Sequence, residues 1–238
     1  MDRDYRAGRA DRPLRYHAAM TRRSEQLSEE LQDYTVAHSA APDAVLSQLA
    51  SETAAAFPDA AVMQIGPEQG TFMTLLTQLT GAGRALEIGT FTGYSSICLA
   101  RGLADGGKLT CCDISDEWTS VARRYWDLAG VADRIELQLR PAVETLRAMP
   151  ATESFDIAFI DADKTGYVSY WDEVVPRIRP GGVILVDNTL YGGGVVDPDS
   201  ADVNVAAIRA FNDHAVADDR VVLVLLPIGD GLTLARKK

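Results

Sequence analysis

The stretch from Phe155 to Asn188 constrains the fold of this chain more than any other. It reads Phe-Asp-Ile-Ala-Phe-Ile-Asp-Ala-Asp-Lys, an amphipathic run, Pro-Gly-Gly, then Val-Ile-Leu-Val-Asp-Asn. Two short apolar runs rich in β-branched residues read as buried strands of a parallel sheet. Between them Tyr167, Trp171, Val174, Val175 and Ile178 recur at helical spacing, and Pro180-Gly181-Gly182 is expected to stop that helix. A right-handed βαβ unit of this kind lays its two strands parallel and ends both on the same sheet edge. Asp161 closes the first strand and Asp187-Asn188 the second, where open α/β sheets place their chemistry. Two carboxylates and an amide oxygen, with no thiol or imidazole, suit magnesium, calcium or manganese and not zinc. Acidic strand ends can also be plain soluble caps, but Asp163 and Lys164 beside them favour a site.

The same βα alternation runs through the rest of the chain. Ala85 to Ser96 reads as strand, glycine turn and helix start. Gly89 and Gly93 are expected to let the backbone pass close to a ligand, and the new helix offers free N–H groups to an anion. Their Gly-x-x-x-Gly spacing misses the dinucleotide pattern Gly-x-Gly-x-x-Gly. Glu87 precedes the turn. Asp113 ends the next strand, Lys108 to Asp113, where nucleotide-binding sheets grip ribose hydroxyls; the competing reading is a helix cap. A helix over 115–129, a strand over 135–139 and a short helix over 143–149 follow. Thr189 to Ser200 is a loop containing Gly192 to Gly194, readable as a lid or a connector. A helix over 203–216 leads to a closing hairpin, Val221 to Leu226 and Leu232 to Ala235 around Gly229-Asp230-Gly231.

Upstream, Glu68 to Leu79 reads as a helix closed by Gly81 and Gly83. Residues 24–56 carry two helical segments parted by Pro42, with Leu27, Leu31 and Tyr34 on one face and Val45, Leu46 and Leu49 on another. Before them Arg3, Arg6, Arg9, Arg12 and Arg15 recur every third position, followed by Arg22 and Arg23. This reads as a solvated arm or one that folds over the site or a partner subunit. The whole is one α/β domain: residues 1–60 are the arm and N-terminal helices, and 61–238 the catalytic part. A net charge of −11 argues against nucleic acid or an anionic membrane as partner. Cys98, Cys111 and Cys112 lack metal-type spacing and fit a reduced, cytoplasmic protein. No apolar run reaches membrane-spanning length.

Four motifs in order now resemble a known family. Met63-Gln64-Ile65…Glu68-Gln69-Gly70, Leu86 to Ser95, Asp161-Ala162-Asp163-Lys164 and Asp187-Asn188-Thr189-Leu190 are similar to those of the cation-dependent O-methyltransferases. These are the caffeoyl-CoA and catechol O-methyltransferase-like enzymes that use S-adenosylmethionine. The resemblance implies a Rossmann-like methyltransferase domain: a seven-stranded, mostly parallel sheet with an antiparallel closing strand, helices on both faces and extra N-terminal helices. It implies that Glu87, Gly89, Thr90, Phe91 and Ser95 hold the cofactor with Ile65 beside them. Asp113 would grip its ribose, and Ala142 and Asp163 line the remainder. Asp161, Asp187 and Asn188 would bind magnesium, or else calcium or manganese, with Lys164 as general base. A homodimer acting on a small phenolic substrate is implied too. The plant enzymes' asparagine, four residues after the metal asparagine, is here Gly192, and the late-loop glutamate of the catechol enzymes has no counterpart. The expected reaction is methyl transfer from S-adenosylmethionine to a hydroxyl of a catechol-type molecule. A caffeoyl-CoA-type ester acceptor is the nearest alternative. A nicotinamide-dependent oxidoreductase and a non-catalytic S-adenosylmethionine-binding protein fit less well, given the missing third glycine and the intact Lys164 and metal-ligand set.

Overall fold

The computed structural model describes residues 28–152 and 154–238. The Arg-rich arm, with Leu27, lies outside them. Seven strands form one sheet: β1 (Arg84–Ile88), β2 (Lys108–Asp113), β3 (Ile135–Leu139), β4 (Phe155–Ile160), β5 (Ile178–Val186), β6 (Val221–Leu226) and β7 (Leu232–Lys237). Their order is β3-β2-β1-β4-β5-β7-β6, and only β7 runs antiparallel to its neighbours. Chain order reverses between β1 and β4, which makes the carboxyl ends of those strands the switch point where such sheets bind ligands.

The helices are α1 (Glu29–Ala37), α2 (Ala44–Ala56), α3 (Pro67–Leu79), α4 (Tyr94–Gly102), α5 (Asp116–Leu128), α6 (Ala142–Ala148), α7 (Tyr167–Arg177) and α8 (Val203–Ala217). Alternation along each strand sorts the core into two layers. Ala85, Leu109, Cys111, Ile157, Phe159 and Leu185 face α2 to α5. Leu86, Ile88, Cys112, Ala158, Ile160 and Ile184 face α6 to α8. Because both faces are covered, β4 and β5 carry the continuous apolar runs Ile157–Ile160 and Val183–Val186. Among the described residues, no helix is long and apolar enough to cross a membrane.

Two expectations are corrected. Helix α7 ends at Arg177, ahead of Pro180-Gly181-Gly182, and Ile178 already belongs to β5, opposite Phe155. The Pro-Gly-Gly segment lies inside that strand as an irregularity, the register shifting between Phe155 and Ile157 while Gly181 takes φ +77°. A bulge is how a strand accommodates a proline, which has no N–H for the ladder. The apolar face expected of α1 is not a core face either: Leu31 is 44% and Tyr34 61% exposed. By contrast α2 buries Leu46 and Leu49. It is tied to the body by Thr53, whose hydroxyl donates to that of Thr92 at 2.8 Å, and by Glu52, which accepts from Tyr125 at 2.7 Å.

Candidate active site

Ladder bonds bring three strand ends together: Gly89 N to Cys112 O at 2.9 Å, Asp161 N to Ile88 O at 2.8 Å and Asp187 N to Ile160 O at 3.0 Å. The turn after β1 is strained. Gly89 has φ +89°, Phe91 +51° and Gly93 +92°. A side chain is poorly tolerated at such φ, so Phe91 must be held in place. Asp113 holds it: Oδ2 accepts from Thr90 N at 2.8 Å and Phe91 N at 2.9 Å, while Oδ1 accepts from Ser115 N at 2.8 Å. The helix cap is Ser115 and not Asp113. The Phe91 ring packs edge-on against Trp118 at 5.2 Å between centroids and lies 6.1 Å from Phe57.

Packing against the protein is by itself enough to require both glycines, apart from any ligand they admit. A Cβ at Gly89 would stand 1.8 Å from the Asp161 carbonyl oxygen, and one at Gly93 2.8 Å from Ala122 Cβ. Gly89→Ala therefore forces strands β1 and β4 apart at the switch point. We expect a loss of at least about 3 kcal/mol, or roughly 6–12 °C in Tm for a domain of this size. A melting temperature within about 2 °C of the parent would overturn that reading of the turn.

Glu87 is completely buried. Its Oε2 accepts from the Cys111 thiol at 3.2 Å, while Oε1 and the hydroxyl oxygen of Thr90 have no hydrogen-bond partner. Burial pushes the Glu87 carboxyl up to about 7, against the pull of the nearby Ser95 and Thr90 hydroxyls and the Cys111 thiol. A buried carboxylate oxygen and a buried hydroxyl left unpaired beside a glycine turn suit a cationic, hydrogen-bonding ligand such as S-adenosylmethionine. Ser95 stands in the first turn of α4. Ile65 is buried between a 3-10 turn at Ala61–Met63 and α3, and Ala142 opens α6 at the carboxyl end of β3. Asp163 is engaged locally, accepting from the Tyr170 hydroxyl at Oδ1 and from Thr165 at Oδ2.

Two of the three expected hard-oxygen residues, Asp161 and Asn188, meet at one point. Lys164, first residue of a 3-10 turn after β4, donates through Nζ to Asp161 Oδ1 at 2.9 Å, Asn188 Oδ1 at 2.6 Å and the Tyr167 hydroxyl at 2.7 Å. Asp161 and Asn188 thus present oxygens to one point. Asn188 sits at φ +55°, a conformation asparagine tolerates better than most residues. Asp187 next to it accepts from Gln69 Nε2 at 2.7 Å and from Asn188 N at 2.7 Å. Burial first, and then the Asp161 charge, raise the Asp187 carboxyl; Gln69 and Asn188 oppose them. Among the described residues no group of three His, Cys, Asp or Glu forms a metal cluster. The set here counts two carboxylates and an amide, a donor chemistry that fits a hard cation.

Gln69 and Tyr167 are the contributors that sequence reasoning assigned no role. Gln69 is buried in the first turns of α3, and Gly229 must be glycine to admit it, since a Cβ there would meet Gln69 Oε1 at 2.5 Å. A buried amide beside Gly70 in a quoted motif was the available signal. Tyr167 accepts from Lys164 and donates to the Asp187 carbonyl at 3.2 Å. The glycine loop is anchored: Arg209 donates to Val195 O at 3.0 Å and Gly194 O at 2.9 Å, and Gly192 N donates to Asp230 Oδ1 at 2.6 Å.

Sheet order, glycine turn and buried carboxylate together define a Rossmann-like methyltransferase. The O-methyltransferase family model matches residues 36–238, and the chain belongs to that family. A Dictyostelium discoideum protein named probable caffeoyl-CoA O-methyltransferase 2 is 43% identical over 180 residues, 74% of this chain and 78% of that one. The O-methyltransferase from Bacillus cereus, solved in complex with SAH, superposes with a TM-score of 0.80 at 34% identity, covering 88% of this chain and 97% of its own. TomG from Streptomyces achromogenes, involved in tomaymycin synthesis and solved with SAM, gives 0.79 at 33% identity, covering 88% and 96%. The protein is an S-adenosylmethionine-dependent O-methyltransferase.

Proposed function

We propose that this methyltransferase is cation-dependent and methylates one hydroxyl of a catechol-type small molecule. The observation that carries the reading is the convergence of Asp161 Oδ1 and Asn188 Oδ1 on one point, with Asp187 beside them and Gly89 packed on the Asp161 carbonyl. The putting together of donor and acceptor sites is thereby built into neighbouring strand ends, the arrangement that methyl transfer by in-line displacement needs.

Ionising a phenol of pKa about 10 near neutral pH costs roughly 4 kcal/mol. Bound S-adenosylmethionine supplies the electrophilic methyl group. A bound divalent cation supplies Lewis-acid stabilisation of the ionising oxygen, worth several kcal/mol. Asp161, Asp187 and Asn188 would hold that cation. Glu87 would take the cofactor's ammonium, Thr90 and Ser95 its polar groups, and Asp113 its ribose while also holding the turn. Lys164 Nζ would receive the hydroxyl proton, a role worth about 10²–10⁴-fold.

The position of Gly192, which brings no side chain, supports a small acceptor. The caffeoyl-CoA-type relatives support the second reading, a CoA-ester acceptor. One screen separates them: catechols, hydroxycinnamates and their CoA esters, assayed by methylated mass with and without magnesium. The expected result is turnover of free catechols. A CoA ester used at least about tenfold more efficiently than its free acid, a preference of roughly 1.4 kcal/mol, would overturn the small-acceptor reading.

A homodimer is the proposed assembly. Leu75 and Leu79 on α3 and Val222 and Val224 on edge strand β6 are exposed apolar side chains that support a second copy of this chain as partner. A light-scattering mass of one chain at micromolar concentration would refute it. The free, buried thiols of Cys98, Cys111 and Cys112 fit a reducing, cytoplasmic setting, which cell fractionation checks. The acidity of the chain disfavours nucleic acid and anionic membrane as partners; a salt-dependent shift with duplex DNA or anionic vesicles would contradict this.

A further inference from the structure

Cys111 lies directly across from Glu87 in the pairing of β1 with β2, and Phe159 flanks Glu87 from β4. Both Cys111 and Glu87 are fully buried. The thiol donates to Oε2 of the carboxylate at 3.2 Å, and Oε1 has no hydrogen-bond partner among the described residues. A carboxylate with one oxygen fixed and one free has a single orientation in which to meet a ligand.

We propose that Cys111 is a positioning residue for the cofactor: its thiol fixes Oε2 of Glu87 so that Oε1 is the oxygen presented to the ammonium group of S-adenosylmethionine. This rests on the reading that Glu87 binds that ammonium. A thiol is a weak donor, and a weak donor suits the place. It orients the carboxylate without neutralising it, leaving the charge for the ligand. The groups that face Glu87 are the Cys111 thiol from β2, the Thr90 hydroxyl from the turn and the Ser95 hydroxyl from α4, with the Asp113 carboxylate as charged neighbour. Burial, and then Asp113, favour the protonated acid, while the Cys111 thiol and the neighbouring Ser95 and Thr90 hydroxyls favour the carboxylate. Cofactor binding should therefore release a proton when the pH is below neutral, and losing the thiol should move that behaviour to higher pH.

The test is titration calorimetry with S-adenosylmethionine on the full chain, on both sides of neutral pH and in two buffers of different ionisation heat. Cys111→Ala should raise Kd about 3–10-fold, the worth of one hydrogen bond. It should also move the acid-side loss of affinity, and the proton release, to higher pH. Cys111→Ser keeps a donor and should remain within about twofold of the parent. Should Cys111→Ala fail to fold, Cys111→Val keeps the volume without the donor and must show the same shift. The parent protein adds a spectroscopic check. The S–H stretch that disappears in Cys111→Ser should shift when S-adenosylmethionine binds, because the carboxylate it donates to then shares its charge. Superimposable pH curves for parent and donor-less variants, or an S–H band unmoved by the cofactor, overturn the proposal. Glu87→Gln separates the two levels. If it leaves affinity and proton release unchanged, Glu87 does not bind the ammonium; if it abolishes the release while Cys111→Ala matches the parent, only the role of Cys111 falls.

Discussion

Lys164→Met is expected to lower kcat by about 10²–10⁴-fold, the usual worth of a positioned general base. Methionine keeps most of the stem and removes the amine, so packing over Tyr167, whose ring centroid lies 4.9 Å from Nζ, is largely retained. Nζ donates to three acceptors, Asp161, Asn188 and Tyr167. An ammonium has three protons, and all three are placed. Before it can take a proton from an acceptor hydroxyl it must give one up, so the acidic limb of the kcat–pH profile should carry its signature. That limb should flatten in Lys164→Met, with S-adenosylmethionine affinity little changed. The rival account is a half-buried ion pair between Lys164 and Asp161 at 2.9 Å that only holds the loop. A kcat within about threefold of the parent and an unmoved limb would favour that account and leave Lys164 a structural partner. Tyr167→Phe probes the same web from the other side, removing one acceptor of Nζ without touching the amine.

The centre of the sheet could be read from the chain because its strands are buried on both faces, which leaves the apolar runs Ile157–Ile160 in β4 and Val183–Val186 in β5, patterns that a solvent-facing strand would not show. Gly81, just past the end of α3, marks a helix end by local chemistry, and local chemistry is what a sequence displays. Reading failed where a distant partner decides. Pro180-Gly181-Gly182 looks like a helix stop, yet the pairing of Ile178 with Phe155 extends the strand through it. Gly93 is also required by α5, whose Ala122 packs against it, a contact its own sequence neighbourhood does not announce. Gln69 is 118 residues from Asp187, its hydrogen-bond partner, and neither residue announces the other. Asp113 stands out in the sequence by its place at a strand end. Its grip on the Thr90 and Phe91 N–H groups was not, because that depends on the turn's left-handed conformation. For the same reason Asp113→Ala should cost cofactor affinity through the turn as well as through the ribose.

Chelation should remove nearly all activity, and magnesium or manganese should restore it. The chemistry of the proposed ligand residues motivates this expectation. Asp161 and Asn188 offer oxygens to a common point, and Asp187 stands beside them, buried and raised toward its protonated form by that burial and by Asp161. Burying Asp187 beside the Asp161 charge is costly; the Lys164 ammonium at Asp161 offsets part of it, and a divalent cation would offset it further. Part of the cost is met by Gln69, which donates to Asp187 Oδ2 and is itself locked by the turn at Gly229. An amide so placed orients a ligand without competing for the metal, and removing such a partner typically weakens metal affinity about 10–100-fold. Gln69→Ala should therefore need more magnesium for half-maximal activity, and should bind manganese more weakly in a paramagnetic titration that needs no turnover. Asp161→Ala should abolish binding in the same titration. Full turnover in excess chelator would end the metal reading outright, leaving Lys164 to activate the hydroxyl unaided and the oxygen cluster as the seat of its ion pair. If activity is lost while manganese binds Asp161→Ala as tightly as the parent, the cation acts elsewhere on the chain.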